Sequence, residues 1–198
     1  MIYCFFEWVV KWLKIIFKPE SQLEYLVVTG KCSTERRVVL GIPIYPLKTD
    51  DVMKVSDLAQ DLRKLNNKET IIFSGYEDTC QESAKELCKY FGCKYTCCSA
   101  LDNSPDDQGH RNYYYSLVSK KVKLYARRYK NIIIMAGPIV GSEYPPFFAD
   151  RTLDSQKYVS GYYLKAGDAI VIACKDSSNP KRDYIYDWPM HKGNSVQL

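Results

Sequence analysis

Short runs of almost unbroken apolar residues, spaced by amphipathic helices, constrain this chain more than any other feature. Residues 23–29 (LEYLVVT), 70–74 (TIIFS) and 131–135 (NIIIM) are too short for core helices and are closed by turn signals, and residues 168–174 (DAIVIAC) follow the same pattern. Residues 94–98 add a shorter strand. Between them, residues 51–65 place Val52, Val55, Leu58, Ala59 and Leu62 on one helical face. Residues 79–91 form a second helix stopped by Gly92, and residues 112–130 a long third one. Strands that are apolar on both faces must be covered on both faces. The pattern therefore predicts an α/β fold with a mostly parallel central sheet and helices on both faces. Residues 31–50, with Pro43 and Pro46, and the polar stretch 103–111 read as irregular connections.

Ahead of the first strand, residues 4–18 read as an extra N-terminal helix that Pro19 ends. Glu7, Lys11, Lys14 and Lys18 form one narrow polar stripe, and nearly everything else there is large and apolar. Three internal charges make it too short and too charged to span a bilayer. Its cover is the protein's own core, a partner, or a membrane interface, with Phe5, Trp8, Trp12 and Ile16 as the attachment surface in the last two cases. The chain thus divides into this helix, 1–19, and a single domain, 20–198.

With 46% hydrophobic and 26% charged residues, the 198-residue chain is neither disordered nor a polytopic membrane protein. A net charge of +5 is too small to indicate nucleic acid by itself. The eight cysteines are spread through expected strands and helices, and the N-terminal stretch lacks a cleavage site. Free thiols in a reducing compartment, hence a cytoplasmic location with at most peripheral membrane contact, fit best. Cys88, Cys93, Cys97 and Cys98 lack the paired spacing of a zinc site, so no metal or other cofactor is expected.

In parallel sheets the chemistry sits beyond the carboxyl ends of the strands. Those ends carry Thr29-Gly30-Lys31, Ser74-Gly75-Tyr76-Glu77-Asp78 and Ala136-Gly137-Pro138. None offers a histidine or an arginine fork. Gly30-Lys31 is no phosphate-binding loop of the nucleotide-hydrolase kind, and no dinucleotide fingerprint occurs. The histidines, His110 and His191, fall in loop-like sequence.

The order of these elements resembles the histidine phosphatase (phosphoglycerate mutase-like) superfamily. A strand ends in a glycine motif, a helix follows a Pro46-Leu47 segment, a strand ends in Ser74, the next helix carries Ser83-Ala84-Lys85, and a later strand ends before Gly137. Within it, Trp188-Pro189-Met190-His191-Lys192-Gly193-Asn194 is similar to the ending of the suppressor of T-cell receptor signalling branch. The likeness spans roughly residues 23–195. It implies a phosphoryl-accepting histidine beside an arginine after the first strand, a second arginine after the second, and a second histidine after the fourth. The matching residues here are Thr29 and Val28, then Asp78 or Thr79, then Ala136, so that Gly30 and Gly137 alone keep the pattern. Phosphoryl transfer needs a nucleophile and cations on the equatorial oxygens, and these residues supply neither. The resemblance therefore implies a catalytically inactive (pseudophosphatase) domain that serves as a protein-interaction or scaffold module.

An alternative expectation places RNA or phospholipid on a basic ridge of helix 118–130, formed by Lys120, Lys123, Arg127 and Lys130. It is not favoured over the ordinary solvated helix face. An active phosphatase of altered chemistry ranks below both. The run Tyr144-Pro145-Pro146-Phe147-Phe148 lies where the resemblance implies a short helix over the pocket; it fills either that pocket or ordinary core.

Overall fold

The computed structural model describes residues 22–65, 67–102, 108–150, 164–174 and 184–185. The expected helix at 4–18 with Phe5, Trp8, Trp12 and Ile16, the 19/20 boundary and the tail motif at 188–194 lie outside the described residues. Among the described residues six strands form one sheet: β1 (Tyr25–Gly30), β4 (Thr70–Ser74), β5 (Lys94–Cys97), β6 (Asn131–Ala136), β7 (Ala169–Cys174) and β8 (Tyr184–Ile185), in the order β5-β4-β6-β1-β7-β8. The β5, β4, β6 and β1 pairings are parallel, whereas β7 lies antiparallel to β1 and β8 antiparallel to β7.

The apolar runs are explained by a core on each side of this sheet. Leu26 and Val28 of β1, Ile71 and Phe73 of β4, and Ile132 and Ile134 of β6 face one cluster, while Val27, Ile72, Ile133 and Met135 face the other. The first cluster is covered by α3 (Gln108–Tyr125), through Tyr115, Val118 and Val122, and by α4 (Pro138–Asp150), through Val140 and Tyr144. The second is covered by α1 (Thr49–Asp61), through Val55, Leu58 and Ala59, and by α2 (Asp78–Phe91), through Ala84, Leu87 and Phe91. Each fully buried Leu, Ile or Phe contributes about 1.5–3 kcal/mol relative to exposure. Gly92 ends α2 in the left-handed conformation, with φ 60°, and its N–H donates to the Cys88 carbonyl at 2.8 Å.

Three expectations need correction. Residues 31–50 are not irregular throughout: β2 (Arg37–Val39) and β3 (Ile42–Ile44) form an antiparallel hairpin in register Arg37↔Ile44, Val38↔Pro43, Val39↔Ile42. Pro43 is tolerated because a two-stranded ribbon has outward-facing positions that need no ladder donor. The polar stretch 103–111 is helical from Gln108, because Arg111 and Tyr115 of α3 both bond Glu143 of α4 and hold the helix start against it. The same helix ends at Tyr125 rather than continuing to residue 130. Lys130 donates its N–H to the Glu69 carbonyl at 3.0 Å, and its own carbonyl accepts from Glu24 and Tyr25, so the backbone must already have turned into the sheet.

Candidate functional site at the strand ends

Sheet order places the ends of β4, β6 and β1 side by side, which brings most of the expected site residues together. Gly30 is in register with Ala136, and Lys31 donates its N–H to the Ala136 carbonyl at 3.1 Å. Val28, Thr29 and Ala136 are fully buried. Val28 and Ala136 belong to the first hydrophobic cluster. Thr29 donates its hydroxyl to the Asp168 carbonyl at 2.8 Å, so the side chain is turned back into the protein. Gly30 lies under the chain at Leu164–Lys165 and bridges to Ala166. Gly137, by contrast, has open space where a Cβ would stand. Asp78 is exposed and Thr79 half-buried at the start of α2.

The sequence motifs miss two side chains that decide the electrostatics here. The first is Lys31, whose ammonium ion-pairs with Glu77 and donates to Thr79 Oγ1 at 3.0 Å. Thr79 Oγ1 in turn donates to Glu77 Oε1 at 2.8 Å, so Glu77 accepts from both. Partial burial works against the Glu77 charge, but the hydrogen bonds from Lys31 and Thr79 and the Lys31 charge outweigh it and hold the carboxyl below its usual value. The second is Asp102, beyond β5. Its Oδ1 accepts from the N–H groups of Tyr76 and Glu77, the latter at 3.0 Å, and it sits so close to Gly75 that a Cβ there would meet it at 2.5 Å. These amides, in the turn between β4 and α2, are the donors an incoming anion would use. A carboxylate of the chain itself already holds them. Lys31 was visible as a cation beside Gly30; Asp102 carried no signal, being 26 residues from the amide it caps.

The expected basic ridge is shorter than its spacing implied. Lys120 and Lys123 are exposed on α3, but Arg127 and Lys130 lie past its end. Lys130 pairs with Glu24 at 3.5 Å and Glu69 at 3.3 Å. Neighbouring Lys121 points inward, donating to the Cys97 carbonyl at 2.5 Å and standing over the Phe73 ring. Tyr144 is fully buried, close to the Ser119 hydroxyl at 3.3 Å, so that run contributes to the core.

Cys32, Cys80, Cys88, Cys93, Cys97, Cys98 and Cys174 are all free thiols, and the described residues contain no metal-holding group of His, Cys, Asp or Glu. Their reactivities differ in kind. Burial pushes the Cys80 and Cys174 thiols up to about 12. A hydrogen bond from Cys88 favours the Cys93 thiolate and holds its pKa below the usual value despite burial, while that of Cys88 is raised. Pulse alkylation of the native protein without reductant is therefore expected to label Cys93 well before Cys80 and Cys174. Mass spectrometry checks the order, and early labelling of Cys80 or a native disulfide among these seven would contradict it.

No family model matches the sequence, and no curated protein matches it either. Solved structures do. YhfR of Bacillus stearothermophilus is similar over 77% of this chain and 92% of its own, with TM-score 0.53 and 11% identity. SixA of Agrobacterium tumefaciens, assigned as a phosphohistidine phosphatase, is similar over 76% and 91%, with TM-score 0.50 and 8% identity. The chain has the histidine phosphatase (phosphoglycerate mutase-like) fold. At such identities the likeness fixes the fold and leaves the activity to be argued from the strand ends.

Proposed function

We propose that this chain is a catalytically inactive domain of the histidine phosphatase fold that works by binding a protein partner. One observation carries the reading. At the end of β1, where the fold's nucleophile is expected, stands Thr29, fully buried and with its hydroxyl donated to the Asp168 backbone carbonyl. A hydroxyl in that setting has neither a base to activate it nor access to a phosphoryl group. The surroundings agree. Lys31 is paired with Glu77, the turn amides of Tyr76 and Glu77 are held by Asp102, and Glu77, Asp78 and Asp102 repel a dianion. The free thiols among the described residues support work in a reducing compartment.

The test is turnover of an aryl phosphate and of a phosphopeptide by the full chain. The expected result is no activity above that of Thr29→Val and His110→Ala variants. Turnover that either substitution abolishes would overturn the reading. Capture from native cells, with and without residues 1–19, then identifies the partner.

A further inference from the structure

Half of the large apolar side chains exposed among the described residues lie within residues 38–45. They belong to the hairpin that leaves the strand-end face after β1. Its root is fixed: Thr34 bridges Leu47, the Glu35 N–H donates to the Pro46 carbonyl, and the Ser33 N–H donates to Asp51 at the start of α1. Beyond the root nothing among the described residues covers it. Val38 is 61% exposed, Val39 50%, Leu40 97% and Ile42 64%.

We infer that this hairpin is a membrane-surface anchor, inserting its apolar tip into the interface of a phospholipid bilayer that contains anionic lipid. Three observations favour a bilayer over other covers. First, both faces are apolar. The register puts Val39, Ile42 and Ile44 on one face, where Arg37 stands opposite Ile44 at the root end, and Val38 and Pro43 on the other, with Leu40 at the tip. A protein groove or a second copy covers one face of a ribbon, whereas an acyl-chain medium surrounds it. Six exposed side chains on a narrow finger also fall short of the roughly 20–30 residues a side that a stable protein interface uses.

Second, the turn carries the wrong residue for folding. Leu40 and Gly41 are its two central residues, with φ 51° and 79°. Asparagine or glycine takes the first of these conformations readily, and leucine does not. A strained, almost fully exposed leucine contributes nothing to the free protein, and its value lies in what it touches. Third, polarity changes along the arm as a bilayer interface requires. From Val38 to Ile44 there is no charge, followed by Tyr45 on one strand, while Arg36 and Arg37 stand at the base of the other. The tip's three or four residues reach about 10–13 Å at 3.3 Å each, enough for the roughly 5–10 Å of interfacial insertion. Arg36 is exposed at headgroup depth, while Arg37 also pairs with Glu35. The carboxylates Asp78, Glu82 and Glu86 line a cleft of about 440 Å³ at the root. An arm from Thr34 to Leu40 spans roughly 20 Å, so these carboxylates stand at the end of the hairpin away from the inserted tip. The inference holds whether or not the strand ends turn over a substrate.

The experiment is co-sedimentation of the full chain with vesicles of phosphatidylcholine, with and without phosphatidylserine, alongside light scattering for oligomeric state. Wild type is expected to bind the mixed vesicles. Leu40→Asp and Ile42→Asp, both at exposed positions, each lower partitioning about tenfold or more, and Arg36→Gln lowers it only when phosphatidylserine is present. Met53→Asp, an exposed apolar residue of α1, changes nothing. Three results would overturn the inference. One is the absence of vesicle binding. Another is binding unaffected by the hairpin variants but lost in Trp8→Glu/Trp12→Glu. The third is a dimer that Leu40→Asp dissociates while vesicles are ignored.

Discussion

Val28→Arg, alone or with Thr29→His, is expected to unfold this domain or cost it about 3–5 kcal/mol, rather than to revive a phosphate site. The arginine that the resemblance implies beside the nucleophile needs a solvated, anionic ligand to face. Val28 is fully buried between Ile134 of β6 and Ile170 of β7, in the same cluster as Tyr144, Leu164 and Ile172. A guanidinium there has no carboxylate partner in that cluster, and an unpartnered buried charge carries a penalty of the quoted size. Overpacking adds to it. For a chain of this length the loss corresponds to a fall in melting temperature of roughly 6–20 °C. Thermal unfolding measures it, with inorganic phosphate added as a second arm. A near-native melting temperature, raised further by phosphate, would mean that the strand end opens onto a pocket, and the reading of an inactive site would fail with it.

Much of this architecture was legible because the strands obey a simple rule. Residues 71–73 and 132–135 are apolar at successive positions, which only a sheet covered on both faces can use, and the two hydrophobic clusters take alternate residues as that rule requires. The helix stop at Gly92 was legible for a local reason, since its left-handed backbone suits glycine best. What escaped was set by distant partners. The hairpin at Arg37–Val39 and Ile42–Ile44 was hidden by Pro43 and by a turn with leucine where asparagine is usual. The end of α3 was set by Lys130 bonding Glu69, about sixty residues earlier, which no helical periodicity registers. At the candidate site, the residues at the positions that the resemblance assigns to catalytic groups were visible in the motifs. The carboxylate that holds the turn amides was not. Asp102 reaches the Tyr76 and Glu77 amides only because β5 lies beside β4.

The two glycines kept from the resemblance differ in what surrounds them, and they are expected to respond very differently to one added methyl group. Both stand at strand ends, where the chemistry of a parallel sheet sits. At Gly30 the close neighbour is the protein itself: a Cβ would stand 2.4 Å from the Lys165 carbonyl oxygen and 2.6 Å from that of Leu164. Neither atom can swing aside as a side chain end would. The Lys165 N–H accepts no freedom either, since it donates to Asp168 Oδ2 at 2.9 Å, and the Gly30 strand is held by β6 on one side and β7 on the other. Gly30→Ala must therefore push two segments of backbone apart, at a cost of about 3 kcal/mol, the upper end for overpacking. Gly137 has no positive φ and nothing within 4 Å of its would-be Cβ, so Gly137→Ala should stay within about 0.5 kcal/mol of wild type. Denaturant midpoints at constant slope give both values. Equal and small effects would mean that the 164–167 segment does not close over β1, and a ligand-facing role for Gly30 would return.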